Sequence, residues 1–261
     1  MQELTLTNLL ALHIRMLAGS YLDGGIERDG SALYVWSAGI PDVTMNFASG
    51  IGAGGADWAL RAAARRDREA AILTDDRNLA ASLRRHPRFE ASYPAAWMVL
   101  EEPERAMAAA LPADLSIVAQ APPQPGFLQV FTQAFPDEAV NAHVARYYAT
   151  ALSAARTAGA QSCEELHTSH FLLSDEAGPA ACATIHRLGR AAGLYNVGTH
   201  HARQGRGLGS AVVSLAIRHA LSRGCEVVFL QCAAGTHLER MYGRLGFRTA
   251  ISPELMCFGK A

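Results

Sequence analysis

Three features of the sequence predict an α/β protein with a mixed sheet flanked by helices. Leu194, Tyr195 and Val197 make a strand-like pattern that runs into a glycine-rich turn, Gln204-Gly205-Arg206-Gly207-Leu208-Gly209. Ala211, Val212, Leu215, Ala216 and Ala220 then recur at helical spacing. Val227-Val228-Phe229-Leu230 is a continuous apolar run, as a strand covered on both faces requires. Through the N-terminal part, segments of helical and strand period alternate rather than cluster by type.

In chain order, residues 1–20 read as a helix, with Leu4, Leu9, Leu12, Ile14, Met16 and Leu17 crowded into a single segment. Leu33–Trp36 and Val43–Ala48 read as strands around the turn signal Gly39-Ile40-Pro41-Asp42. Ala56–Arg66 is a helix, Ala70–Thr74 a short strand, and Leu79–His86 a helix closed by Pro87. Ala96–Leu100 is a strand, and residues 101–112 form a connector of helical composition ending in Pro112. Leu115–Ala119 is a strand, followed by helices at Phe127–Phe135 and 138–155. Phe171–Ser174 and Ala181–Leu188 form a hairpin across residues 175–179. On the helix after the glycine turn, Ser210, Ser214, Arg218 and Ser222 make the polar stripe, and Gly224 stands where a C-terminal cap belongs. A helix at 236–244 and a strand near 255–258 complete the reading.

At 261 residues, with 50% hydrophobic composition, the chain can bury a sizeable core in one large domain or two small ones. A formal net charge of −1 offers no global attraction for nucleic acid or membranes. Arg65-Arg66 and Arg84-Arg85 are short enough to be solvated helix faces. The cysteines number 5, an odd count without C-x-x-C spacing, which argues against a disulfide framework and against a zinc site. Without an apolar span or a secretory leader pattern, a cytoplasmic protein is expected.

The glycine turn points to an anion. Gly205, Gly207 and Gly209 let the backbone turn sharply and bring bare N–H groups close to a ligand. They lie at a helix start, where unpaired donors and the positive dipole end favour phosphate, and Arg206 adds a cation. No Gly-Lys-Ser/Thr ends the turn, so it is not a nucleotide P-loop. It is not a dinucleotide fingerprint either, because the third glycine would fall at Ser210 or Val212. Gly50-x-Gly52-x-x-Gly55 does fit that fingerprint, with Asp75 at the ribose position. Yet the strand before it carries a polar Asn46 in its middle, and about 110 residues hold little more than half a complete dinucleotide fold, so the favoured reading is a flexible turn.

Gln204-x-x-Gly207-x-Gly209 has the (Gln/Arg)-x-x-Gly-x-(Gly/Ala) form of the GNAT superfamily of acyl-CoA-dependent N-acyltransferases. Met241-Tyr242-Gly243-Arg244-Leu245-Gly246-Phe247 resembles that family's Leu-Tyr-x-x-Leu-Gly-Phe segment, at a separation right for helix, strand, helix. The resemblance covers residues 113–251 and implies the GNAT fold, a mixed central sheet flanked by helices. It implies that Gln204, Gly205, Arg206, Gly207, Leu208, Gly209 and Ser210 cradle the coenzyme A pyrophosphate, while Val197, Gly198 and Thr199 pair with the pantetheine through their backbone. The N-terminal half resembles the degenerate half of bacterial tandem proteins of this family. Two domains follow, a degenerate GNAT-like one over 1–112 and a catalytic one over 113–261.

Acyl transfer to an amine needs a held thioester, a neutral amine and a proton for the departing thiolate. The resemblance makes Tyr242 the candidate acid; a core tyrosine packing its helix on the sheet is the plain alternative. Gly235 stands where the family often has a coenzyme-contacting asparagine, and Thr236 is the candidate replacement. Gln204 removes a charge that Arg203 or Arg206 would restore. His200 and His201 would point to opposite faces of a continuing strand, so they cannot share a metal, and no metal site is expected. His186, Glu164 and Glu165 are candidate bases beside a water chain, and Cys232 reads as core. The expected function is transfer of acetyl from acetyl-CoA to a primary amine of a small molecule by direct transfer in a ternary complex. The expected partner is that amine, not nucleic acid or membrane, with the protein a monomer or homodimer. A non-catalytic acyl-CoA-binding module and an enzyme using a longer acyl-CoA are the alternatives.

Overall fold

The computed structural model describes residues 5–18, 21–52, 54–109, 116–120, 125–134 and 166–259, with residues 116–120 as backbone. The chain divides into two compact units. Unit 1 comprises residues 1–97, 231–234 and 249–261; unit 2 comprises residues 98–230 and 235–248.

Unit 1 begins with α1, Leu6–Leu17, whose Thr5 side chain accepts the Asn8 N–H and so satisfies a helix-end donor. Strands β1 (Gly25–Asp29), β2 (Ala32–Trp36) and β3 (Phe47–Ser49) pair antiparallel in sequence. Helix α2 (Ala56–Ala64) returns the chain to β4 (Ala70–Thr74), which lies parallel to β3. Helix α3 (Arg77–Leu83) starts on an Asp76 cap and leads to β5, Phe89–Leu100. Strand β12 (Glu254–Phe258), from the end of the chain, pairs antiparallel with both β4 and β5. The α2 and α3 side of this sheet is packed with apolar residues, among them Ala59, Ala63, Ile72, Leu83 and Met256.

Unit 2 contains α4 (Pro103–Ala108), β6 (Ser116–Gln120), α5 (Pro125–Gln133), β7 (Leu166–Asp175), β8 (Gly178–Leu188) and β9 (Ala191–Thr199). Helix α6 (Leu208–Ser222) then leads to β10 (Val227–Ala233), parallel to β9, and α7 (His237–Arg244) leads to β11 (Phe247–Ile251). The antiparallel run β6–β7–β8–β9 precedes the parallel partner β10. Both units thus run antiparallel steps into a helix crossover to a parallel strand, with one antiparallel step more in unit 2, β6–β7. His170 of β7 meets Phe127 of α5, whereas its neighbour Ser169 meets His219 of α6. Successive residues on a strand face opposite ways, so α5 and α6 cover opposite faces.

Two readings of the sequence change. Residues 43–48 do not form one strand: Val43–Met45 is a 3-10 turn, and β3 begins after Asn46. The reason is the fully buried Asn46 side chain, which donates to the carbonyls of Ile40 and Asp42 at 2.6 and 2.7 Å and accepts the Ser37 N–H at 3.1 Å. A side chain that closes a turn around itself cannot also sit in a ladder. Strands β1 and β11 are additions, and both are exposed at alternate positions with few apolar residues to announce them. The expected helix at 138–155 lies outside the described residues. Asn46→Ala removes the partners of two buried backbone groups and one half-buried carbonyl and should lower the unfolding free energy by about 3 kcal/mol. Urea denaturation, read as a lower midpoint with an unchanged slope, checks this.

Candidate functional site

The glycine turn occupies one end of unit 2. Strand β9 ends at Thr199, a 3-10 turn covers His201–Arg203, and Gly205 and Gly207 follow with φ of 77° and 78°. That left-handed backbone is open to glycine and strained for most other residues. Gly207 is the N-cap of α6 and supplies no side-chain cap. The first helical bond runs from Ala211 N–H to Gly207 O at 3.0 Å, so the N–H groups of Leu208, Gly209 and Ser210 have no acceptor within the helix. A side-chain carbon added at Gly205 or Gly207 would meet nothing within 4 Å, so the space over the turn is clear.

Gly209 works differently. A Cβ there would lie 3.1 Å from Thr199 Oγ1 and 3.9 Å from Met241 Sδ. Its bare backbone therefore lets the first turn of α6 close on both the end of β9 and on α7. Tyr242 follows Met241 and is 5% exposed, its ring edge-on to Phe247 with centroids 5.9 Å apart. Gly235, with φ of 73°, gives its N–H to Glu239 Oε2 at 2.7 Å. The start of α7 is thus held by its own glutamate rather than by an asparagine. Thr236 is the N-cap, without a side-chain cap bond.

The charges near the turn have separate duties. Arg203 donates to the carbonyls of Gly178, Pro179 and Ala177 at 2.7, 3.0 and 2.7 Å and pairs with Asp175 at 2.9 Å. It staples the turn to the β7–β8 hairpin and is not available to replace the charge missing at Gln204, which is exposed. Arg206 reaches the other Asp175 oxygen at 3.3 Å with its side chain 60% exposed, so its charge faces solvent at the mouth of the turn. His200 and His201 do not diverge as a continuing strand would require. Because β9 stops at Thr199, their rings stack with centroids 4.7 Å apart, and His200 accepts the Ala202 N–H. Among the described residues no three His, Cys, Asp or Glu side chains converge to hold a metal.

Val197, Gly198 and Thr199 lie on the part of β9 past the end of its parallel ladder. That ladder runs from Val227↔Ala191 to Phe229↔Gly193, while β9 continues beside β8 up to Thr199↔Ala181. A bulge interrupts the β8 register, Asn196-Val197 opposing Ala183, and Asn196 sits at φ 52°. Its amide donates to Thr184 Oγ1 at 2.9 Å, and that oxygen lies 2.9 Å from His170 Nδ1. That hydroxyl can donate to the ring nitrogen or accept from it according to the tautomer, and either arrangement is open to the neutral imidazole. Burial enforces the same state, lowering His170 from 6.5 to about 4. Beside this chain, His186 Nδ1 lies 2.8 Å from Thr168 Oγ1, and the Tyr195 ring covers Gly193 and meets the His186 ring at 5.1 Å. Cys182, under Gly198, gives its S–H to Asn196 O, and burial pushes its thiol far above the ordinary range.

Sequence reasoning missed Asp175, Thr184, His170 and Asn196. Asn196 carried a signal, since asparagine is one of the few residues that tolerate φ > 0 within a strand. The other three are ordinary residues whose role comes from cross-strand partners. Cys232 is half-buried rather than core, at the end of β10, and Glu164 and Glu165 lie outside the described residues.

The folded protein keeps His170 neutral while the unfolded chain takes up a proton near 6.5. Its contribution to stability is therefore complete above about pH 6.5 and is lost as pH falls towards 4. Thermal unfolding between pH 7.5 and 5 should fall less steeply in His170→Gln than in the parent.

Residues 131–247 match the model of the Acetyltransferase (GNAT) family. No curated protein matches the sequence. Among solved structures, a GCN5-related N-acetyltransferase from Kribbella flavida is 16% identical, with a TM-score of 0.67 over 97% of this chain and 95% of its own. A GCN5-related N-acetyltransferase from Sphaerobacter thermophilus is 13% identical, with a TM-score of 0.60 over 91% and 84%. A tandem GNAT protein from the clavulanic acid biosynthesis pathway is 16% identical, with a TM-score of 0.57 over 89% and 80%. At these identities the neighbours establish the fold, and the family match covers the segment that contains both the glycine turn and Tyr242: residues 131–247 are similar to the GNAT acetyltransferase family.

Proposed function

We propose that unit 2 transfers the acetyl group of acetyl-CoA to a primary amine of a small molecule, directly within a ternary complex. Acetyl-CoA-dependent acetyl transfer is the general activity of the family. The finer reading rests on one observation: a helix start with three unmatched N–H groups, clear space above two left-handed glycines, and a solvent-facing arginine. That combination suits a diphosphate, which is doubly anionic and accepts several hydrogen bonds at once. On this reading Gln204–Ser210 hold the pyrophosphate, and Val197, Gly198 and Thr199 lie along the pantetheine. The N-terminal half serves as the degenerate member of a tandem pair.

When bound, the coenzyme supplies the acetyl group as a reactive thioester. The amine nitrogen bonds to the carbonyl carbon, the carbon–sulfur bond breaks, one proton leaves nitrogen and one arrives at sulfur. The chain contributes the proton handling and the field. Tyr242, on the helix that touches Gly209 through Met241, is the proton donor to sulfur. His186, held through Thr168, is the candidate proton acceptor on the α5 face. The locked bulge at Asn196 sets the direction of the following strand amides, which favours stabilisation of charge on the carbonyl oxygen. Net charge near zero and the absence of a long acidic or basic run favour a small acceptor over a protein.

Tyr242→Phe should reduce kcat about a hundredfold while the acetyl-CoA dissociation constant stays within about twofold, in the range of general acid catalysis. Equal losses in both would identify Tyr242 as a packing residue. Calorimetric titration with acetyl-CoA, beside Gly207→Glu and Arg206→Glu, tests the coenzyme site itself. Gly207→Glu should abolish binding, and Arg206→Glu, which changes no backbone angle, should weaken it at least about tenfold. Full-strength binding by both variants would overturn the assignment.

A further inference from the structure

We propose that unit 1 carries a binding site of its own, a cavity beneath α1 that takes a small amphipathic carboxylate. The cavity has a volume of about 530 Å³, within the ~300–1,000 Å³ typical of small-molecule sites. Its floor is a cross-strand row in which Arg28 faces Leu33, Leu33 faces Ser49, and Ser49 faces Leu73. Leu6, Leu10 and Ile14 of α1 form its roof. The turns after β3 and β4, at Gly50-Ile51 and Thr74–Asp76, close one side. That is the carboxyl end of the parallel pair, where open α/β sheets receive their ligands.

The polar atoms of the floor and turns are largely engaged within the protein. Ser49 donates to Leu73 O at 3.0 Å, and Thr74 Oγ1 accepts the Asp76 N–H at 3.1 Å. Asp76 is occupied as the cap of α3, accepting from Asn78 and Leu79. A guest therefore meets an apolar middle, and the charges at its ends decide its sign. Arg28 stands at the β1 end of the row, and Arg15 lines the cavity from α1. Asp75 and Asp76 stand at the β4 end. With strands about 4.8 Å apart, the row from β1 to β4 spans about 14 Å, so the two signs are well separated. Glu27 does not neutralise Arg28, because it faces the other side of β1 and pairs with Arg65 and Arg66 at 2.5 and 2.7 Å. Guanidinium groups match carboxylates in shape and are weakly hydrated, so the anionic end of a guest goes to the β1 side and its apolar body under α1. A diphosphate is not the guest, since residues 50–55 contain no Lys or Arg.

The test is calorimetry on the full chain with octanoate and with octylammonium. Octanoate should bind saturably with one-to-one stoichiometry, at least about tenfold tighter than octylammonium, the increment of a charge-assisted contact. Arg28→Glu should remove that preference, and Leu33→Trp, which fills the floor with an apolar group, should remove binding without reversing charge. Gly207→Glu should bind octanoate as the parent does, which separates this site from the coenzyme reading whatever the fate of the latter. No saturable octanoate binding, equal or reversed preference for octylammonium, or loss of octanoate binding in Gly207→Glu would each overturn the proposal.

Discussion

A left-handed glycine at the head of a helix controls the geometry of unit 2. Because Gly207 turns at φ 78°, α6 starts without a capping side chain and directs the first-turn amides into open space. Two residues later Gly209 lets that same turn close on Thr199 and Met241. The pair of glycines thus does opposite things. The first holds the backbone open, and the second brings three elements together.

The electrostatics around that turn divide structural charge from available charge. Asp175, largely buried, binds Arg203 tightly and Arg206 loosely. Arg203 then satisfies three hairpin carbonyls, so its guanidinium is part of the fold. Arg206 keeps most of its surface in water and is the cation an arriving anion would meet. The strand beside the turn is set by a second polar device, in which Asn196, Thr184 and a neutral His170 hold the bulge. Both devices place polar groups where desolvation would otherwise be costly, and both are matched group for group.

The two units share a pairing scheme but differ in how the parallel connection is furnished. In unit 2 the connection carries Arg206 and a clear helix start. In unit 1 the corresponding connection is short, uncharged and tight at its two ends: Gly50 has no room for a Cβ against Ser31 O, and Gly55 none against Ile51. The same architecture therefore carries the proposed phosphate site in one unit and an apolar cavity with charged ends in the other. Fold alone does not decide between them; the side chains at the strand ends do.

Much of this was legible in the sequence because it is local. The period of α6, the apolar run of β10 and the glycine spacing are read from neighbours within a few residues, and each element is observed where that pattern predicts it. The resemblance to a family followed from two motifs whose separation reflects a helix, a strand and a helix. Tertiary structure decided whatever depends on distant partners. It put Asn46 in a buried turn instead of a strand, brought Asp175 to Arg203 across 28 positions, and paired β12 with β4 in unit 1. It also decided that His200 and His201 stack and that His170 stays neutral. Sequence periodicity reports which face of an element is apolar, because burial acts on single side chains. It carries no record of which polar group will meet which, because that depends on how strands far apart in the chain are aligned.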